Sequence, residues 1–440
     1  MLTIHGAVST FIDETTEMSD DLYFEGGVVV DAPGAGAPDT SALERLDATG
    51  CVVTPGLVNA HHHLLQTAFR TLPGTRGVAM TTWLPTMAAS YAAVGIDPEL
   101  SHAAAMAGVA EGLLSGVTTV ADHHLTWPSG CDSVGIARAT ASAAAELGGR
   151  LVFVRGSARD DAEEAAASAE AIVVALVPGT LNGVSSGGML QVAVGPAGVH
   201  SDSPETFRLF GELAERFGLR RRTQANEQVD VVIALEKYGR RPLELLEEWG
   251  WLAPDVTLAH LCAVTPEEIA RLAASGVTAT HAPGCDLPMG WGIAPVAALR
   301  EAGIVVGLGT SGGGSNDAGH LLADARLAMQ VAPLVGPPLA AREVIGMATK
   351  GSALGLGRPE LGSLTLGDAA DACVWDVSGV ADAAVADPIA GLLWASPGRR
   401  PKHVVVAGRV VVRDYRLVEH DERSIAVTLE DLLASRRHAG

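Results

Sequence analysis

The stretch Cys51–His63, CVVTPGLVNAHHH, is an apolar run that ends in three consecutive histidines. Side chains alternate across a β-strand, so His61 and His63 project to one face at its end. A His-x-His pair so placed grips one metal ion or one polar ligand. Seven further β-rich runs follow downstream: Thr118 to His124, Arg150 to Gly156, Gln191 to Val199, Arg220 to Asn226, Val256 to Leu261, Val277 to Pro283 and Ile304 to Thr310. With Val52 to His61 they predict eight strands. Ala-, Leu- and Glu-rich helical segments lie between them, at Glu99 to Leu114, Asp161 to Ala175, Pro204 to Phe217, Thr265 to Ala274 and Asp317 to Val331. Strand and helix alternating in this way is the pattern of an α/β fold with a closed (β/α)8 barrel of the TIM type, because parallel strands need such crossovers. The barrel is expected over residues 56–362. The flanks, 1–55 and 363–440, are β-rich with Gly and Asp turns, as in EGGVVVDAPGAG and KHVVVAGRVVVRD, and predict a small β-sandwich assembled from both chain termini.

The chain has 440 residues, 48% of them hydrophobic, enough for a large ordered core. Thirty Lys and Arg against 51 Asp and Glu give a net charge of −21, which repels nucleic acid and anionic membrane and leaves small molecules as the expected partners. The five cysteines show no C-x-x-C spacing, so neither a disulfide framework nor a zinc ribbon is indicated, and a reduced cytoplasmic setting is expected. The sequence after Met1 lacks the basic region and apolar core of a signal peptide.

In such a barrel, chemistry gathers at the C-terminal strand ends. His61 and His63 end the first strand and Asp122, His123 and His124 the second; His200 follows the fourth and Glu227 the fifth. His260 ends the sixth, His281 the seventh, and Thr310 with Ser311 the eighth. Any one of these histidines alone is as well explained by a strand cap or a core hydrogen bond. Their convergence on one rim points to a functional cleft.

On PGLVNAHHHLLQ, SGVTTVADHH, LAHLCAV, HAPGCDLPMGWGIAPV and GLGTSGGGSND, the chain resembles the amidohydrolase superfamily over nearly its whole length. It is most similar to the branch of guanine and 8-oxoguanine deaminases and triazine hydrolases, partly through RTLPGTRGVAMTTWLP at 70–85, which resembles the loop after strand one in triazine hydrolases. The resemblance implies a distorted barrel with a terminal β-sandwich and a homodimer. It also implies one Zn2+ or Fe2+ that activates water to displace ammonia or another group from a nitrogen heterocycle. The family's metal pattern is a His-x-His after strand one, a strand-five His followed three residues later by Glu, and an Asp after strand eight. His61 and His63 match, Glu227 resembles the proton-shuttling glutamate, and His260 resembles the histidine beside the attacking water. The strand-five histidine position is Gln224, and the strand-eight aspartate position is Ser311.

A neutral amide and a hydroxyl are poor substitutes for imidazole and carboxylate as zinc ligands, and Ser311 also removes a general base. Arg222 shares the strand-five face of Gln224, so it points into the barrel unless a bulge turns it to solvent. If inward, it replaces the charge of the ion and holds Glu227 or an anionic substrate group. Gln66 resembles the glutamine that reads a lactam edge, the other reading being a loop brace. Trp83 either roofs the pocket or packs in the core, and His124, Gln224 and Ser311 are further substrate-binding candidates. His281 and Asp286 are expected to line the mouth.

Three function classes follow. The first reading is metal-independent acid/base catalysis (elimination, isomerisation, cyclisation or addition) on a small polar heterocycle by Glu227, His260 and His281, with no cofactor. The alternative is a zinc-dependent aminohydrolase with an altered shell, holding one weakly bound Zn on His61, His63 and His260. The third is a non-catalytic small-molecule binder.

Overall fold

The first predicted strand is in fact two, Cys51–Pro55 in one sheet and Leu57–His63 in another. The break is at Gly56, where a Cβ would lie 2.2 Å from the Thr118 hydroxyl, so only glycine lets the chain cross between the sheets. The computed structural model describes residues 1–33 and 44–439; the end of the EGGVVVDAPGAG turn, from Gly34 on, lies outside the described residues. Leu57–His63, Val117–His124, Arg150–Ser157, Leu190–Pro196, Arg221–Ala225, Val256–His260, Thr278–His281 and Val306–Leu308 pair in that order, all parallel.

Closure depends on one short segment. Gly309 N donates to His281 O at 2.9 Å, Thr310 N donates to His61 O at 3.1 Å, and the chain resumes as strand Ser311–Gly312 beside His62 and His63. The eighth strand is thus bonded to the seventh on one side and to the first on the other, which closes the barrel. A Cβ at Gly309 would stand 2.7 Å from His61 Cβ, so the seam admits no side chain there.

The helices begin and end where the sequence chemistry puts them. In Pro204–Phe217, Ser203 accepts from Thr206 N, Pro204 opens the first turn, and Gly218 closes the helix in the left-handed region. Pro266–Ser275 starts with a Thr265/Glu268 capping box. Several helices lie outside the predicted set, among them Ser133–Glu146 and Gln228–Tyr238. Met80–Val94 begins inside the segment 70–85 read as a loop and carries Pro85 in its interior. Glu422–Ala439 ends a flank read as β-rich, and its Leu429 and Leu433 pack in one cluster with Val94, Ile96 and Leu100.

The chain ends form two sheets. A seven-stranded sheet places Ser9–Phe11, Glu17–Met18 and Cys51–Pro55 beside Ala372–Asp376, His403–Val406, Arg409–Arg413 and Arg416–Leu417. A four-stranded sheet contains Leu2–His5, Leu22–Glu25, Val28–Val30 and Glu44–Asp47. Leu2, Ile4, Phe24 and Leu46 of the smaller sheet pack against Val53, Val374 and Val405 of the larger, so the layers share one core as in a sandwich. Arg150 of the third barrel strand ties this unit to the barrel through a buried paired contact with Asp371, at 2.7 and 2.9 Å.

Candidate active site

A register shift between Asn59 and His62 decides what the histidine run presents. Ala60 packs with Ala121, Val152 and Ala193 inside the barrel, and the next residue, His61, faces His123 and His260. Two consecutive inward side chains mark a bulge, a device common beside active sites. His62 instead turns to Thr310, with Nδ1 2.9 Å from Oγ1. The backbone is also unusual at the ends of the other site strands: Asn226, His260, Leu261 and Ser311 all have positive φ, between 53° and 78°. Non-glycine residues in this region carry a cost that clusters at functional sites.

Above the strand ends opens a cavity of about 620 Å3. Its floor includes His63, Gln224, Glu227, Ser311 and Ser315, and its walls are largely apolar, with Trp83, Tyr91, Trp127 and Trp291. Trp83 Nε1 donates to Gly314 O at 3.0 Å, which fixes the indole as a wall. Gln66 lines the cavity, but its Oε1 accepts from Gly314 N at 3.0 Å and it also bonds Tyr91, so its amide braces the loop. His124 does not reach the cavity. Its Nε2 bonds Thr126 O at 3.1 Å and its ring lies behind Trp127, because its parity on the second strand is opposite to that of His123.

The proton-handling side centres on His260. Asp286 Oδ1 lies 2.6 Å from its Nδ1, Gln224 Oε1 lies 3.0 Å from its Nε2, and Glu227 Oε1 lies 3.7 Å away. The Gln224 amide is oriented by its own Nε2, which donates to Ala197 O at 3.1 Å, so its oxygen faces His260. Both His260 nitrogens therefore donate, and the ring is an imidazolium. The electrostatics agree: burial pulls the His260 pKa down, but Asp286 and then Glu227 outweigh it and raise it overall. Burial likewise pushes Asp286 up, yet His260 holds it down at about 2. Asp286 is fully buried, a correction to its expected place at the mouth, and sequence reading missed its role as the partner of His260. His281 Nδ1 sits 3.6 Å from the other oxygen of Asp286 and is away from the cavity lining, so it backs the pair and does not touch a ligand. Burial raises the pKa of Glu227, and neither of its carboxylate oxygens has a hydrogen-bond partner.

The opposite side is cationic. Arg222 points inward, 2% exposed, with Nη2 3.4 Å from His61 Nδ1 and with Nε and Nη1 unpartnered. No bulge turns it to solvent: Arg221–Ala225 pairs residue by residue with Val256–His260. Arg222 reaches His61 and not Glu227, which corrects one expected partner. Burial pulls its pKa down to about 9, so it remains charged at neutral pH.

These contacts test the implied zinc. The rings of His61 lie 4.9 Å from His63 and 5.3 Å from His260, the roughly 5 Å spacing that imidazoles around a tetrahedral ion adopt. The donor atoms do not match that spacing. A guanidinium has no acceptor, so Arg222 donates to His61 Nδ1 and leaves His61 Nε2 as a buried, unpartnered N–H without a lone pair. His260 donates from both nitrogens, Gln224 is engaged, and Ser311 supplies a hydroxyl held by Ser315 at 3.4 Å. Of the expected ligands His61, His63 and His260, it is His63 that has ligand polarity: its Nδ1 donates to His123 O at 2.6 Å, which leaves Nε2 with a lone pair. Among the described residues, the potential donor atoms that do converge within 4.8 Å are those of His260, Cys285 and Asp286, a group already explained by the His260–Asp286 bond. The residues as arranged do not fit a closed zinc cage.

The amidohydrolase family profile matches residues 52–411. The 8-oxoguanine deaminase of Pseudomonas aeruginosa is 32% identical over 92% of both chains. A 5-methylthioadenosine/S-adenosylhomocysteine deaminase of Halobacterium salinarum is also 32% identical, over 92% of this chain and 93% of its own. Among solved structures, a triazine hydrolase variant superposes with a TM-score of 0.91 at 35% identity, covering 98% of this chain and 99% of the other. Atrazine chlorohydrolase TrzN from Arthrobacter aurescens, complexed with zinc, does so at 0.89 and 34%, covering 98% and 100%. Among the described residues, no helix is long and apolar enough to cross a membrane. By family match and full-length similarity, this chain is an enzyme that belongs to the amidohydrolase family.

Proposed function

We propose that this enzyme hydrolyses an exocyclic bond, C–N in the first instance, on a small nitrogen heterocycle bound in the 620 Å3 cavity. The observation that carries the reading is Glu227, a buried carboxylate with two free oxygens and a raised pKa, on the cavity floor beside the His260–Asp286 pair. The deaminases and triazine hydrolases it resembles favour hydrolysis over metal-free elimination, isomerisation, cyclisation or addition. The zinc complex of TrzN likewise favours the zinc-dependent alternative over the metal-independent one. Were a zinc held in this family's manner, it would supply Lewis-acid chemistry, and of the expected ligands His61, His63 and His260 it is His63 that has the polarity to meet it.

The chain's own residues account for the proton movements. The Glu227 carboxylate takes a proton from the attacking water as the new C–O bond forms, then passes it to the departing nitrogen as the C–N bond breaks, releasing ammonia. The His260 imidazolium, kept charged by Asp286, has both N–H groups engaged by Asp286 and Gln224, and acts through its charge, 3.7 Å from Glu227, to stabilise negative charge that develops on the cavity floor. Tryptophan and tyrosine walls suit a planar ring. We further propose a small-molecule enzyme of the reduced cytoplasm, working as a homo-oligomer; its five cysteines are all unpaired.

The test is ammonia release from panels of guanine, 8-oxoguanine, pterin, adenosine-type and aminotriazine compounds. Glu227→Gln should lower turnover about 10³-fold while a competing ligand still raises the melting temperature. Turnover unchanged in that variant would remove Glu227 from its role, and no ammonia from any compound would remove the deaminase reading.

A further inference from the structure

We propose that Arg222 sets the metal affinity of this site by fixing His61 in the tautomer that turns an N–H, and not a lone pair, toward the barrel mouth. The inference rests on hydrogen-bond polarity. A metal-ligating histidine normally donates its second nitrogen to a carbonyl or carboxylate, which frees the first to bind the ion. His63 follows that rule through His123 O, whereas His61 has the reverse arrangement, with a guanidinium behind it. Two residues apart on one strand, the two histidines therefore carry opposite polarity. His61 Nε2 is buried with no partner, so nothing else in the described structure selects its tautomer.

Charge points the same way. Ser311 stands where the family pattern has an aspartate, which leaves one negative charge fewer, and Arg222 points a buried positive charge at His61. A zinc bound against His61 would have to displace the guanidinium from Nδ1 and sit beside it in a water-poor interior, where like charges repel strongly. Metal held here is predicted to be loosely held and exchangeable, with Arg222 as the positioning residue responsible.

The experiment reads zinc and tautomer, not turnover, so its outcome is separate from that of the hydrolase reading. The full chain, stripped with chelator and titrated with Zn2+ against a chromophoric competitor, should bind weakly. Arg222→Met, which keeps the bulk and removes every donor, should bind zinc at least about 10-fold more tightly, since His61 is then free to exchange its proton to Nδ1. In the unmodified protein labelled with 15N-histidine, the ring signal lost in His61→Gln should be a neutral Nε2–H tautomer. That spectrum decides the matter even if Arg222→Met fails to fold. A full equivalent of zinc that survives dialysis and is not tightened in Arg222→Met, or a His61 ring carrying its proton on Nδ1, would overturn the proposal.

Discussion

The two sides of the barrel floor satisfy their polar groups in opposite ways. Around His260 each ring nitrogen meets an acceptor, Asp286 or Gln224, and Gln224 in turn bonds Ala197 O. Around His61 the donors outnumber the acceptors: Arg222 Nε and Nη1 and His61 Nε2 are buried without partners. The His260 ring is satisfied within the protein, whereas the donors around His61 are left without acceptors. Glu227, whose two oxygens are unpartnered, lies on the His260 side and lines the cavity, so it is the acceptor the floor offers to water or to an N–H edge of a heterocycle.

The largest effect that would break this contrast is expected from Asp286→Asn. Removing the anion lets burial dominate His260, whose pKa should then fall and whose charged form should be lost near neutral pH. Steady-state kinetics should show kcat about 10²-fold lower with little change in KM. Equal loss in both parameters would mean that Asp286 supports the pocket and not the imidazolium.

A smaller effect sharpens the other flank. Gln224→His with Ser311→Asp reinstates the family's ligand types, and equilibrium dialysis should show zinc bound about 10-fold more tightly; adding Arg222→Met should tighten it again by a similar factor. Strict additivity would show that Arg222 acts independently of the other two positions, whereas a larger joint gain would place all three in one network.

The smallest effect lies just outside the site. Burial raises the pKa of Asp324 to about 7; its oxygens accept from Gly284 N at 2.8 Å and Asn316 Nδ2 at 3.0 Å, on the far side of the loop that carries Cys285 and Asp286. A folded-state pKa above the unfolded one means that the native state holds the extra proton between about pH 4 and 7, so this group's contribution to stability falls as pH rises through that window and stays low above it. Asp324→Asn removes the term. Its melting temperature should vary less than that of the parent between pH 5 and 8, by on the order of 2–3 °C. An unaltered difference would assign the slope to other buried acids, such as Asp202.

Much of this was legible in the chain. Strand and helix alternation gave the barrel, and the split pattern at Gln224 and Ser311 marked where the family's chemistry had changed. Strand parity placed Arg222 inside, because that strand is regular. Parity could not place Ala60 and His61 on the same face, since a bulge leaves no mark in residue type. The helix Met80–Val94 begins inside the stretch read as a loop by resemblance, and it accommodates Pro85 in its second turn. Asp286 was found in the sequence but not understood, because its partner is 26 residues away and on a different strand's end. The signal for it is the cysteine–aspartate pair in the short helix Pro283–Asp286 that follows the seventh strand.

The cavity wall has one more consequence. Met80, Met87 and Met289 line the cavity among the aromatic rings. Thioether chains bend at little cost and fit many shapes, so the polar floor fixes the reacting edge of a guest while the softer wall tolerates varied substituents. Conversion of these sulfurs to sulfoxides would make that wall hydrophilic and weaken its hold on greasy rings.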